Sequence, residues 1–249
     1  MVKIEFPDRI FGKKADEALE RVLNAQGQGQ EREKAQPQTS NLILKDYFFV
    51  PSGGIYLAKK RSLNNESWNN AIKQIYEQGV DVKGQRAEMP TPFEFMSGLI
   101  YVLDNENIPD LTKEEKAEFL DDILALKNVY RGNHLNARFG DNVVETATIE
   151  NGKLVWKTNS LEPCLKKDCY ADIRKINSQG LFTTTAGKQE YEQGKNAYFW
   201  YPRNTAVVWF VAFSVRALLD CFGGADGSNP ALGVRLVVRP KGASSKTRS

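Results

Sequence analysis

The alternation of apolar and polar positions divides the chain into a polar leader and a patterned remainder. Residues 15–23 place Ala18, Leu19 and Val22 on one side of a short helix. The stretch NAQGQGQEREKAQPQTS follows with almost nothing to bury. We read residues 1–40 as that helix plus a Gln-rich arm or linker; a plain surface loop of the main domain fits the same residues. From residue 41 the pattern changes. Residues 42–50 (LILKDYFFV) are strand formers, 51–54 (PSGG) a turn and 55–58 a returning strand. Trp68, Ala71, Ile72, Ile75 and Tyr76 recur at the spacing of one helical face, with Gly79 as a stop. Thr91, Pro92 and Glu94 supply a capping box and a first-turn proline for a second helix, whose face runs Phe93, Met96, Leu99, Ile100 and Leu103. A third helix opens the same way at Thr112 and Glu115 and buries Phe119, Leu120, Ile123 and Leu124.

The second half reads as strand and loop. Residues 143–149 and 154–156 flank Asn151-Gly152, a strong hairpin signal. Residues 164–193 are irregular. Residues 198–201, 206–215, 217–222 and 232–239 are strand-like, 223–231 (GGADGSNPA) form a loop, and 240–249 a disordered tail. The expected class is α+β: one domain over 41–239, two main helices, first and last strands paired, and a helix and hairpin inserted between.

Composition narrows the function. The chain has 249 residues, 41% of them hydrophobic, with 34 Lys+Arg against 31 Asp+Glu. A surplus of three positive charges is too small for a dedicated nucleic-acid binder. No apolar run approaches the ~20 residues of a membrane span, and the charged start MVKIEFPDRIFGKK does not look like a signal peptide. Three cysteines do not make a disulfide scaffold, although one bridge stays open. The single histidine, His134, leaves little room for imidazole chemistry, and we read it as a hydrogen-bonded loop residue. Glu114-Glu115 and Asp121-Asp122 read as solvated helix charges.

Three segments carry a resemblance: the Trp68 helix followed by Met89-Pro90-Thr91-Pro92-Phe93-Glu94-Phe95; Ala206-Val207-Val208-Trp209-Phe210 through Arg216-Ala217; and Leu232-Gly233-Val234-Arg235-Leu236-Val237-Val238. Together they resemble the C-type lectin fold, in the branch shared by formylglycine-generating-type enzymes and the variable proteins of diversity-generating retroelements. The similarity is strongest to the variable proteins of phage and archaeal-virus type. It implies a scaffold of Trp209, Arg216, Cys221, Gly233 and Arg235, and a variable region near 198–235. The ligand-binding, diversified positions it implies are Val211, Phe213, Leu218, Asp220, Phe222, Gly224, Asp226, Gly227, Asn229 and Ala231. Val215 departs from the usual glycine. Adenine-directed mutagenesis of Asn codons cannot produce Lys, Glu, Gln, Met or Trp, and none of these occurs between Phe210 and Arg235. A buried strand pair with a Gly-rich loop would exclude the same charges.

Period-two spacing places Val211 with Phe213, and Leu218 with Asp220 and Phe222, on single strand faces. If those faces point outward they form an apolar, hypervariable binding patch rimmed by Asp220, Asp226 and Asn229; the other reading of the same spacing is core. Arg216 and Arg235, on strands, call for carboxylate or carbonyl partners. The expectation is a non-enzymatic protein without cofactor or metal. It would bind a protein or cell-surface ligand, displayed on a virion or cell. Two alternatives remain: a formylglycine-generating-type oxidoreductase or inactive relative using Cys164 and Cys169, and a calcium-dependent sugar-binding lectin.

Overall fold

The computed structural model describes residues 44–240 except Lys83; the expectations for residues 1–40 and 241–249 lie outside the described residues. Tyr47–Val50 (β1) and Ile55–Ala58 (β2) form the first hairpin, in register from Tyr47 opposite Ala58 to Val50 opposite Ile55. Val80–Val82 (β3) and Gln85–Glu88 (β4) form a second. The last strand, Val237–Val238 (β13), lies between them, with Val237 opposite both Leu57 and Glu88. The resulting order is β1-β2-β13-β4-β3. The terminal strand therefore pairs with the second arm of the first hairpin, not with the first strand. The outer edge of β1 is taken instead by the 105–111 segment, where the Asp110 carboxylate accepts the Phe49 N–H at 3.3 Å.

The larger sheet contains Arg131–Gly140 (β5), Val143–Glu150 (β6), Lys153–Ser160 (β7), Cys169–Asp172 (β8), Asn196–Trp200 (β9), Val207–Ala212 (β10), Ala217–Gly223 (β11) and Leu232–Gly233 (β12). Its order is β7-β6-β5-β10-β11-β9-β8, with β12 added along β5. Asn151 and Gly152 both adopt positive φ, as the two-residue turn between β6 and β7 requires.

Among the described residues, three helices complete this mixed α+β architecture, which is mostly sheet. Trp68–Ile72 (α1) is capped by the Ser67 hydroxyl and continues as a π-helical turn, Lys73–Gly79. Pro92–Asp104 (α2) and Lys113–Leu124 (α3) each carry the complete capping box, built by Thr91 with Glu94 and by Thr112 with Glu115. One core joins β1, β2, α2, α3 and one face of the large sheet; a second joins α1, the small sheet and the β6–β7 hairpin. Helix α2 buries Phe95, Met96, Leu99 and Val102, while Phe93, Ile100 and Leu103 are half-buried. The buried face is rotated from the expected one because Phe95 packs on Phe210, their rings 5.3 Å apart. Among the described residues, no helix is long and apolar enough to cross a membrane.

Two expectations are corrected. Residues 232–239 do not form one strand: Leu232–Gly233 follows β5, Val234 bridges to Ser62, and Val237–Val238 enters the other sheet. His134, read as a loop residue, lies instead on a central strand, Arg131–Gly140. Its polar residues Arg131, Asn133, His134 and Asn136 are all buried. They are tolerated because most find partners inside. Asn136 donates to the Tyr76 hydroxyl and to Ala147 O, and accepts from Ala147 N–H at 2.7 Å.

Candidate functional binding face

Strands β10 and β11 divide their side chains between two environments. Phe210, Ala212, Leu219 and Cys221 enter the main core. Their alternates on the opposite face, Val211 and Leu218, join Leu232 in a separate cluster, against which Tyr130, Tyr198, Trp209 and Phe213 pack. Among the described residues, no helix contributes to that cluster. Elsewhere on the same side of the sheet, α1 supplies cover: Trp68 stacks on Trp156 at 5.7 Å and donates its indole N–H to Leu135 O at 2.7 Å. His134 and Trp209, in edge-to-face contact at 5.7 Å, mark the boundary between the helix-covered and uncovered parts.

The uncovered part is aromatic. Tyr130 stacks on Phe213 at 6.2 Å, Tyr170 meets Tyr198 edge-on at 5.0 Å, and Trp200 meets Phe222 at 6.1 Å. The Arg216 guanidinium lies 4.1 Å above the Tyr198 ring. The exposed large apolar side chains of the described residues are Leu126, Val129, Val215 and Phe222. Three of the four adjoin this face: Val129 precedes Tyr130, Val215 sits in the turn after Phe213, and Phe222 ends its row on β11.

The implied ligand-binding residues take different places. Phe222 is 57% exposed and Phe213 half-buried. Val211, Leu218 and Asp220 share the face but are buried, at 1%, 3% and 7% exposure, beneath the neighbouring aromatic rings. Gly224, Asp226 and Gly227 are exposed in the following loop. That loop is tied to α1: Asn69 donates its backbone N–H to Ala225 O at 3.1 Å and its side-chain amide to Asp226 at 2.7 Å. Asn229 and Ala231 are half-buried, and the Asn229 side-chain oxygen accepts the Ala231 N–H at 2.9 Å. Asn229 thus spends its oxygen on the loop itself, and Asp226 spends one of its oxygens on α1. Sequence reasoning missed Tyr130, Tyr198 and Trp200; the last two carry the same period-two signal along 198–200 that singled out Leu218 and Asp220.

Asp220 is the ionisable group of this face. Its Oδ1 accepts the Phe222 N–H at 2.8 Å. Burial pushes its carboxyl up to about 6, against the Phe222 hydrogen bond and with help from the Asp168 charge. The nearby Tyr130 phenol is raised by burial and then by Asp220.

The residues implied as scaffold take the following places. Trp209 lies over Gly223, where a Cβ would come within 2.8 Å of the indole ring. Gly233 has no room for a Cβ, which would lie 2.8 Å from Ser62 O. Arg235 is buried and pairs with Asp122, donating also to the carbonyls of Lys59 and Ala58. Burial pulls it down to about 10 while Asp122 holds it charged. Asp122 also accepts Arg61 at 2.9 Å, so one α3 carboxylate fixes two chain segments. These groups border a cleft of about 730 Å³ with Tyr47, Lys59 and Glu115, none of them part of the aromatic face.

Cys164, Cys169 and Cys221 are free thiols, each raised by burial. Cys221 is in the main core and Cys164 packs against it. Burial pushes His134 down to about 4, against its bond to Glu66 O at 3.0 Å, so the ring is neutral at ordinary pH.

No known family profile, curated protein or solved structure matches the chain.

Proposed function

We propose that the chain is a non-enzymatic ligand-binding protein of the retroelement variable-protein type. A C-type lectin-like scaffold would display Phe213 and Phe222 over the buried Val211, Leu218 and Asp220, together with the 224–231 loop. One observation carries this reading: β10 and β11 send alternate residues into the main core and into a face that, among the described residues, no helix covers. The inward residues hold the backbone. The outward ones touch chiefly one another, so changes among them are absorbed within the patch rather than in the core. A preorganised backbone lowers the ordering cost of binding whatever side chains it carries. The C-type lectin-like assignment draws support from the order hairpin, helices, strands, with the terminal strand returning beside the first hairpin. A protein or cell-surface ligand, bound by shape and charge complementarity, suits an aromatic face of this kind.

The test replaces Phe213, Phe222, Gly224, Asp226 and Gly227 together with other side chains that NNY-type codons encode. The expected melting temperature stays within a few degrees of the parent. Loss of folding from single changes at Phe222 or Asp226 overturns the reading. The encoding DNA gives a second check: a near-copy of the last coding stretch, differing at adenines, is expected close by.

A further inference from the structure

Asp220 is placed as few carboxylates are. It is 93% buried, yet it stands on the uncovered face of the sheet. Its cross-strand partners are Trp209 on β10 and Trp200 on β9. Phe222, next on the same side of β11, leans on Trp200. Among the described residues, the Phe222 N–H is its one hydrogen-bond donor, and no salt bridge reaches it. Its second oxygen accepts no hydrogen bond from the described residues and keeps some contact with solvent. The titratable groups coupled to it are Asp168 before β8, Tyr130 before β5 and Cys221 beside it on β11; Arg216 before β11 and His134 on β5 belong to the neighbouring segments. Asp168 is paired with Arg203 at 3.3 Å, His134 is neutral, and Arg216 lies over Tyr198. Among the described residues, no cation stabilises the Asp220 carboxylate; burial and Asp168 both work against its charge.

Resting on the binding reading above, the geometry points to Asp220 as the selecting group of this face, and to an occupant that is a protein segment presenting a lysine or arginine side chain. The cationic head pairs with the open carboxylate oxygen, and the aliphatic stem lies along Trp209, Trp200 and Phe222. Two physical terms favour that occupant. A charge-assisted hydrogen bond is strongest where water is excluded, and the faces of indole rings attract a cation at the same point. A buried charged contact ringed by aromatic residues is also the usual form of an interface hot spot. A neutral apolar side chain would cover the carboxylate without a partner, which costs free energy and so discriminates against it.

The experiment titrates the full chain, labelled with ¹⁵N and ¹³C, with N-acetyl-lysine methylamide and N-acetyl-arginine methylamide. The neutral isostere N-acetyl-norleucine methylamide and a methyl glycoside serve as comparison probes. Amide and indole signals of Trp209, Trp200 and Phe222 report binding, and the Asp220 carboxyl carbon reports its ionisation. The cationic probes are expected to bind at least fivefold more tightly than norleucine and to lower the Asp220 midpoint by about one pH unit. Asp220→Asn keeps the acceptor for the Phe222 N–H, so the fold is retained; in it the preference for cations is expected to vanish. Equal binding of norleucine and lysine overturns the inference while leaving a binding face. Preference for the glycoside overturns it in favour of a sugar. Absence of any response at these residues also overturns it. The binding reading itself falls only if the replacements at the face unfold the chain.

Discussion

Gly132 on β5 is the cross-strand partner of Val211 on β10: a Cβ at residue 132 would overlap Val211 Cγ1 and come within 2.9 Å of Leu232 and 3.0 Å of Phe210 O. The buried floor of the aromatic face thus rests on a glycine from a different part of the chain. Gly132→Ala is expected to destabilise by about 1–3 kcal/mol through overpacking. Gly224→Ala, in open space, is expected to leave stability within about 0.5 kcal/mol. Urea unfolding of the two variants checks the contrast.

Leu218 and Leu219 are adjacent and equally hidden, yet they face different clusters. Leu219→Ala opens a cavity in the main core and is expected to cost about 3–5 kcal/mol. Leu218→Ala is expected to cost about 2 kcal/mol or less, because the thin aromatic cover can settle onto the smaller side chain. Equal costs, measured by denaturant unfolding, would show that the face is as rigid as the core.

Asp122 and Asp121 are neighbours on α3 with different duties. Asp122 neutralises the buried Arg235, whereas Asp121 pairs with Lys127 at a half-exposed position. Asp122→Ala is expected to destabilise by about 3–5 kcal/mol, since it strands a buried guanidinium. Asp121→Ala is expected to cost less than about 1 kcal/mol. Thermal unfolding of both variants measures the difference.

Asp220 and His134 oppose each other over the same pH range. Asp220 titrates near 6 when folded and near its ordinary value of 3.8 when unfolded, so the folded state binds more protons and stability falls as pH rises from about 4 to 6. His134 titrates near 4 when folded and near 6.5 when unfolded, so here the unfolded state binds more protons and stability rises with pH between about 4 and 6.5. The parent protein is expected to show a shallow dependence from these two groups. Asp220→Asn removes the falling component: relative to the parent, it is expected to gain about 2–3 kcal/mol by pH 7 and to become steeper between pH 4 and 6.5. Urea midpoints at several pH values test both signs. The single histidine gives an independent check, since its ring signals should not titrate above about pH 5.

Local chemistry announced much of the scaffold. The capping residues at Thr91 and Thr112 are legible because a helix start is satisfied by its own first turn. The Asn151-Gly152 turn is legible because only such residues adopt its positive φ without strain. The faces of β10 and β11 followed from the period of two, which is a property of the strand alone.

What the chain order could not announce was set by partners distant in sequence. β5 is polar, and its place at the centre of a sheet follows from hydrogen bonds to Tyr76, Ala147 and Glu66. The break between β12 and β13 follows from two sheets competing for one segment. That Val211, Leu218 and Asp220 are buried while Phe222 is exposed depends on which aromatic rings β9 and residue 130 bring over them. By itself the sequence determined which side chains share a face, because alternation is local. Only the tertiary structure decided what covers that face and where α1 stops covering it, because burial depends on neighbours that the alternation does not contain.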